Sequence, residues 1–257
     1  MISLNGDICL PESFHWLKDS GFRYGYGCFE TMHFSNHQIT LFDLHMSRLK
    51  QSLEGMGINA SIDGLKDRVL ALANALKIST PQACHVFITG GDISPSPKLS
   101  AKATEIISFS PLPTNTFSKR CCFLTVETSD YYKFKSLSYT HHIQALNTSN
   151  DWPIYVDTKN TIVDSAIFSI GMIVNDTIIF AEHEHQLPSV SKAGINQLLN
   201  CHSQPLTKDM LENANVIFGC NALRGAFPIS ITNPNPPTHT KIDEMNQALG
   251  LDGCNFS

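Results

Sequence analysis

Lys135 stands in an aromatic stretch, with Tyr131, Tyr132 and Phe134 before it and Tyr139 after it. A lysine in apolar surroundings loses hydration, which disfavours its ammonium form and lowers its pKa. A neutral amine can attack a carbonyl and hold an aldehyde as a Schiff base. The plainer outcome, and for a lysine taken alone the commoner one, is a stem laid along the rings with its charge in water. Two further stretches could hold an anion. His45 and Arg48 lie three residues apart in a helical pattern, so both can point at one site. Ser189-Val190-Ser191 precedes another helical stretch, where free backbone N–H groups and the helix dipole favour a phosphate. The plainer readings of these two stretches are a surface ion pair and a helix cap.

Other candidates carry less. His183-Glu184-His185 offers two histidines at i and i+2 with no third ligand at recognisable spacing, so a solvated turn is expected there and no metal. Eight cysteines are scattered at 9, 28, 84, 121, 122, 201, 220 and 254 without a Cys-x-x-Cys pair. A chain of 257 residues does not need staples, so buried reduced thiols are expected. Its net charge of −5 gives no electrostatic reason for a nucleic acid or an anionic membrane as partner. No apolar run approaches the length of a membrane span, and the N-terminus lacks the basic and apolar regions of a signal peptide. The cytoplasm is the expected compartment.

The elements that must position these residues follow from periodicity. Phe42, Met46, Leu49, Leu53 and Met56 recur at i, i+4, i+7, i+11 and i+14, which predicts a helix carrying His45 and Arg48 on another face. A second helix should bury Leu65, Val69, Leu72, Ala73 and Leu76, with Ser61 as its cap. Residues 85–89, 105–109 and 122–126 read as strands, and the last of these leads into the lysine stretch. Gly90 to Pro97 should be loop, and residues 111–116 a linker between two domains. Further strands are expected over 154–157, 161–164, 167–174, 177–180, 215–218 and 228–231, with a hairpin turn at Asn175-Asp176. Helices should run over about 191–200 and 208–213, and a short one should end the chain. The length exceeds that of a usual single core. The whole reads as an α/β chain with two sheets.

Five segments, in order, resemble one family. Gly21-Phe22-Arg23-Tyr24-Gly25-Tyr26-Gly27-Cys28-Phe29-Glu30-Thr31 resembles the entry segment of the class IV aminotransferases, the fold-type IV pyridoxal-phosphate enzymes. Leu41-Phe42-Asp43-Leu44-His45-Met46-Ser47-Arg48-Leu49 is similar to the helix that follows it, and Lys135-Ser136-Leu137-Ser138 to the lysine segment. Leu187-Pro188-Ser189-Val190-Ser191-Lys192 resembles a Leu-Pro-Gly-Ile-Thr-Arg turn, and Asn221-Ala222-Leu223-Arg224-Gly225 a late Asn-Ser/Ala-Leu-Arg-Gly turn. The correspondence runs from about Gly21 to about Ile229. Within the family, the short chain and the last turn are most similar to the 4-amino-4-deoxychorismate lyases.

The resemblance implies a two-domain α/β (α+β type) fold, with a small N-terminal domain over 1–112. A larger cofactor-binding domain with a barrel-like sheet would occupy 113–257. It implies pyridoxal 5'-phosphate held by Lys135, which would also move the substrate's α-proton. Arg48, Val190, Ser191, Asn221 and Ala222 would bind the phosphate, Asp164 would face the ring nitrogen, and Tyr139 would lie near the ring hydroxyl. Asp164 stands where the family uses glutamate, Ser169 where asparagine is frequent, and Gly90-Gly91 where an arginine often reads the substrate carboxylate. Arg224, Arg23 or Lys98 could supply that charge instead. The implied activity is cleavage of a small amino substrate to 4-aminobenzoate and pyruvate. The alternatives are transamination of branched-chain or D-amino acids, and a relative without catalysis. A homodimer is implied as well.

Overall fold

The computed structural model describes residues 1–93, 102–113, 120–233 and 235–251. Lys98, most of the expected loop ending at Pro97, residues 114–116 of the expected linker, and Cys254 lie outside them. The described residues divide into two compact units. One comprises Met1–Pro113 together with Phe134–Tyr139, and the other Thr114–Lys133 together with Thr140–Ser257.

The first unit is built on an antiparallel sheet. Its strands are β1 (Ile2–Leu4), β2 (Asp7–Cys9), β3 (Gly27–Ser35), β4 (Gln38–Ile39), β5 (Gln82–Thr89) and β6 (Thr104–Pro111). They lie in the order β2-β1-β6-β5-β3-β4. The helices are α1 (Ser20–Tyr24), α2 (Phe42–Gly55) and α3 (Leu65–Ala75). The aromatic, glycine-rich segment therefore splits into a one-turn helix and a nine-residue strand. The strand forms because Cys28, Met32 and Phe34 turn one apolar face to α2 and α3, where they join Leu49, Leu53, Leu65, Val69 and Leu72 in one core. Burying each such leucine stabilises the unit by roughly 1.5–3 kcal/mol. Ser61 does not cap α3. Gly64 occupies the cap in a left-handed conformation, and Ser61 accepts instead from the Asp63 N–H in the turn before it.

Beyond β4 the edge of β3 is completed by the lysine segment. Leu137 N–H donates to Gly27 O at 2.8 Å, and Phe29 N–H donates to Lys135 O at 2.9 Å. Cys28 thus faces Ser136 in an antiparallel bridge, and the segment Phe134–Tyr139 belongs to the first unit although 20 residues assigned to the second precede it.

The second unit has two sheets, so the described residues form three where the sequence reads as two. β7 (Cys121–Thr125), β8 (Trp152–Val156) and β9 (Ile162–Ser165) form a three-stranded sheet, with α4 (Thr140–Thr148) connecting the parallel pair β7 and β8. The other five strands are β10 (Ser169–Val174), β11 (Thr177–Ala181), β12 (Cys201–Gln204), β13 (Val216–Asn221) and β14 (Gly225–Ile229), in the order β12-β11-β10-β13-β14. α5 (Val190–Leu198) links the parallel pair β11 and β12, α6 (Lys208–Glu212) follows, and α7 (Thr240–Ala248) packs on β14. Ile154, Val156, Ile162, Ile170, Met172, Ile217 and Ile229 form a core shared by both sheets. Asn175 and Asp176 adopt φ 47° and 62°, the left-handed pair of a tight hairpin. No helix of the described residues is long and apolar enough to cross a membrane.

Candidate active site

In the first unit the chemistry gathers around Glu30. Its position on β3 alternates with Cys28 and Met32, so its carboxylate is driven into the core face and is wholly buried. A bare carboxylate there would be expensive, and two residues of α2 neutralise it. Arg48 donates from Nε to Oε1 and from Nη2 to Oε2, both at 2.7 Å, in a two-point pair. His45 Nδ1 lies 2.7 Å from Oε2. The three-residue spacing of His45 and Arg48 does bring both side chains to one site, and that site is centred on a third residue. Burial alone would raise the carboxyl pKa. The Arg48 charge and hydrogen bonds, with the contact from His45, outweigh it and hold the group at about 2. Arg48 is therefore a buried pair and not a surface one. Burial likewise pushes His45 below the usual histidine range, with help from the Arg48 and Lys135 charges and against the pull of Glu30. His45 Nε2 is buried and has no hydrogen-bond partner among the described residues.

Lys135 sits beside this cluster on the edge of β3. Its backbone N–H donates to Ser52 Oγ on α2 at 3.1 Å, which fixes its main chain between helix and strand. Its Nζ lies 4.7 Å from the centre of the Phe29 ring and 5.5 Å from that of Tyr139. Those two rings meet edge to face at 5.5 Å. Tyr139 stands just ahead of α4 and not on a helix.

Gly90 explains the missing arginine. A Cβ at this position would come within 2.5 Å of the Tyr26 ring and 2.9 Å of Ser20 Oγ. Tyr26 is itself anchored, its hydroxyl donating to Met56 O at 2.6 Å. The space where a side chain would begin is thus filled by an aromatic ring. Arg23 is exposed and lies over the Tyr24 ring at 5.2 Å.

In the second unit the expected residues fall on two turns and one strand. Ser189, and not Ser191, caps α5, accepting from Lys192 N–H at 3.2 Å. Val190 and Ser191 form the buried first turn of that helix, Ser191 being 2% exposed. Asn221 closes β13 and builds its own turn. Its Oδ1 accepts from Leu223 N–H (3.1 Å) and Arg224 N–H (2.9 Å), while Nδ2 donates to Ile167 O (3.3 Å). Ala222 follows it in the turn, which Gly225 ends at φ +67°. Asn246 crowds Gly225 too closely for a side chain. Arg224 is half-buried, and desolvation lowers its pKa. On β9, Asp164 accepts from Ser165 N–H at 2.9 Å and from Leu187 N–H at 3.3 Å. Ser169 begins β10, buried opposite Cys220. His183 and His185 face Asp157 and Asp130 at 3.7 and 3.3 Å, and no group of three or more metal-ligating side chains occurs among the described residues.

Four contributors are not singled out by the sequence alone. Glu30 was visible as a carboxylate in the apolar alternation of a strand, which was a usable signal. Ser52 and Tyr26 had none. Lys192 belongs with them: its Nζ donates to Ala181 O at 3.3 Å and lies 5.8 Å from the Phe180 ring centre. Burial lowers its pKa against the pull of Glu182, Cys220 and Asp164. It is a desolvated amine in the second unit. The first unit holds an amine on an aromatic ledge and a buried guanidinium, and the second a hydroxyl at a helix N-terminus and a strand carboxylate; each is of a type that a phosphorylated pyridine aldehyde can use.

The chain matches the family model described as amino-transferase class IV over residues 27–231. No curated protein is similar to it in sequence at a significant level. Among solved structures it is similar to 4-amino-4-deoxychorismate lyase from Pseudomonas aeruginosa, with 18% identity, TM-score 0.82 and coverage of 98% of this chain and 99% of that one. Branched-chain amino acid aminotransferase from Escherichia coli superposes with TM-score 0.84 at 15% identity, covering 100% of this chain and 96% of the other. A hypothetical aminotransferase from Mycobacterium tuberculosis, in a pyridoxal-phosphate-bound form, gives TM-score 0.81 at 15% identity, with 97% of each chain covered. The family match spans most of the sequence and includes the Glu30, Arg48, Lys135 and Asn221 segments, and the chain belongs to the class IV aminotransferases, a family of pyridoxal-phosphate-dependent enzymes.

Proposed function

We propose that the protein is a lyase that cleaves 4-amino-4-deoxychorismate to 4-aminobenzoate and pyruvate. Pyridoxal phosphate, when bound, supplies an aldehyde for amines and a ring that takes up an electron pair. Lys135 holds that aldehyde between turnovers. Lys135 Nζ would also serve as the base for the proton on the amine-bearing carbon of a bound substrate, and Phe29 and Tyr139 would shield that transfer from water. Loss of that proton together with the neighbouring enolpyruvyl C–O bond would make the substrate ring aromatic, and the enolpyruvate released would take up a proton at carbon to become pyruvate. Arg48, Ser191 and Asn221, with the backbone of Val190 and Ala222, take the phosphate. Asp164 keeps the ring nitrogen protonated.

The observation that carries the cofactor assignment is the Lys135 amine held over the Phe29 and Tyr139 rings at 4.7 and 5.5 Å. The choice of lyase rests on the Asn221–Gly225 turn, whose sequence is most similar to that of the lyases. The decisive experiment measures pyruvate released from aminodeoxychorismate with no keto acid present, alongside borohydride trapping of the cofactor. Lys135→Ala should abolish both, whereas Lys192→Ala should retain trapping on the Lys135 peptide. Trapping on Lys192 would overturn the assignment.

A second reading has its own observation. Tyr26 fills the place of the arginine at Gly90, which favours an uncharged substrate side chain. Rapid stoichiometric conversion of leucine, with no pyruvate from aminodeoxychorismate, would establish a branched-chain transaminase instead. The homodimer reading is supported by exposed Leu17, Phe22 and Tyr24 on the first unit, at 79%, 62% and 56%. Sedimentation as an active monomer would refute it.

A further inference from the structure

The Glu30 cluster poses a charge problem. Glu30 carries one negative charge and Arg48 one positive, and they neutralise each other in a two-point pair at 2.7 Å. His45 closes the group with Nδ1 at 2.7 Å from the same carboxylate. Facing a carboxylate at that distance, Nδ1 must hold the ring's proton in the neutral imidazole. Nε2 is then a bare lone pair, and it is buried without a partner among the described residues. The side chain is wholly buried, so water does not reach it through an open surface. The charged groups around it are Glu30 on β3, Arg48 one turn along α2, and Lys135 on the segment beside β3. In this state the Glu30–His45–Arg48 group carries no net positive charge, and Nε2 is an unpartnered lone pair within it.

We propose that His45 takes up a proton when an anion binds beside Arg48, so that the Glu30–His45–Arg48 group becomes net positive only when loaded. This rests on the reading of Arg48 as part of the phosphate site. The proton comes from solvent and sits between Nε2 and an anion oxygen, turning repulsion into a charge-assisted hydrogen bond. Glu30 stabilises the resulting imidazolium from the opposite side of the ring. His45 is thus an anion-binding residue that couples occupancy of the site to pH. Burial already keeps it neutral in the empty protein, so the proton is available to be gained.

The test titrates the cofactor-free protein with pyridoxal 5'-phosphate in two buffers of different ionisation heat near pH 8. Native protein should take up about one proton more per cofactor than His45→Gln does. Native affinity should fall about tenfold as pH rises from about 7.5 to 8.5, and the variant's pH dependence should be flatter. Glu30→Gln provides a second variant that retains the shape of the carboxylate. It too should lose the proton uptake, but it should keep its affinity at high pH, because the Arg48 charge is then unmatched. A purely structural role would weaken binding in both variants and leave the uptake unchanged. Equal uptake in native protein and both variants overturns the proposal while the cofactor reading stands. No binding of the phosphate by native protein overturns both.

Discussion

The first unit buries a matched set of charges around Glu30, and the second builds its turns at Ser189 and Asn221 on neutral side chains. Around Glu30, three ionisable side chains from β3 and α2 pack in the interior with contacts at 2.7 Å. Around Asn221 and Ser189, neutral side chains satisfy backbone N–H groups of their own turns. Under the proposed function these are two ways of preparing a site for an anion. A buried cation needs a matched partner and a rigid frame of helix and sheet, because an unpaired charge in the core costs several kcal/mol. A turn needs only a capping oxygen and a few local bonds, and its charge is the partial one of aligned peptide dipoles.

Glu30→Ala should break this contrast most severely. It leaves Arg48 and His45 buried without their acceptor, and the expected loss of folding stability is about 3–5 kcal/mol by denaturant titration near pH 7. The loss should shrink in acid. The folded-state carboxyl is held at about 2, below an unfolded value of about 4.3. Its contribution is therefore full above about pH 4.5 and disappears progressively as pH falls towards 2. A difference between native and variant that persisted unchanged at pH 2 would show that the carboxylate charge is not its origin.

Asn221→Ala should cost less, about 1–3 kcal/mol, by removing the acceptor of two N–H groups and the donor to Ile167 O. Its clearer signature should be faster hydrogen exchange at Leu223 and Arg224, with the Glu30 cluster unaffected. Exchange that spread to β3 would mean the two regions are not independent. Ser189→Ala is the mildest change, worth about 1 kcal/mol for one cap contact on α5. Ser189→Gly should cost only a few tenths, and a larger loss in the glycine variant would point to contacts beyond the cap.

Local pattern was enough for much of the molecule. The 3.6-residue repeat of Phe42, Met46, Leu49 and Leu53 defines α2, and Asn175-Asp176 defines a hairpin, because both depend on neighbours within a few residues. The segments that carry the family resemblance were legible for the same reason, as short motifs with a fixed order. The second sheet of the second unit was not, since strands 121–125, 152–156 and 162–165 look alike whichever sheet they join.

What escaped was decided by contacts between residues far apart in the chain. Lys135 could be singled out by type, but that its segment completes the edge of β3 depends on main-chain bonds to Gly27 and Phe29. His45 and Arg48 could be placed on one face, while their partner Glu30 lies on a strand whose inward side is set by the whole core. Gly90 was legible as a missing arginine, and only packing shows that the Tyr26 ring occupies the space. Spacing along the chain fixes direction within one element. Which groups meet, and whether their charges are already matched, is set by how elements close over a common core, where burial makes each unmatched charge too costly to leave.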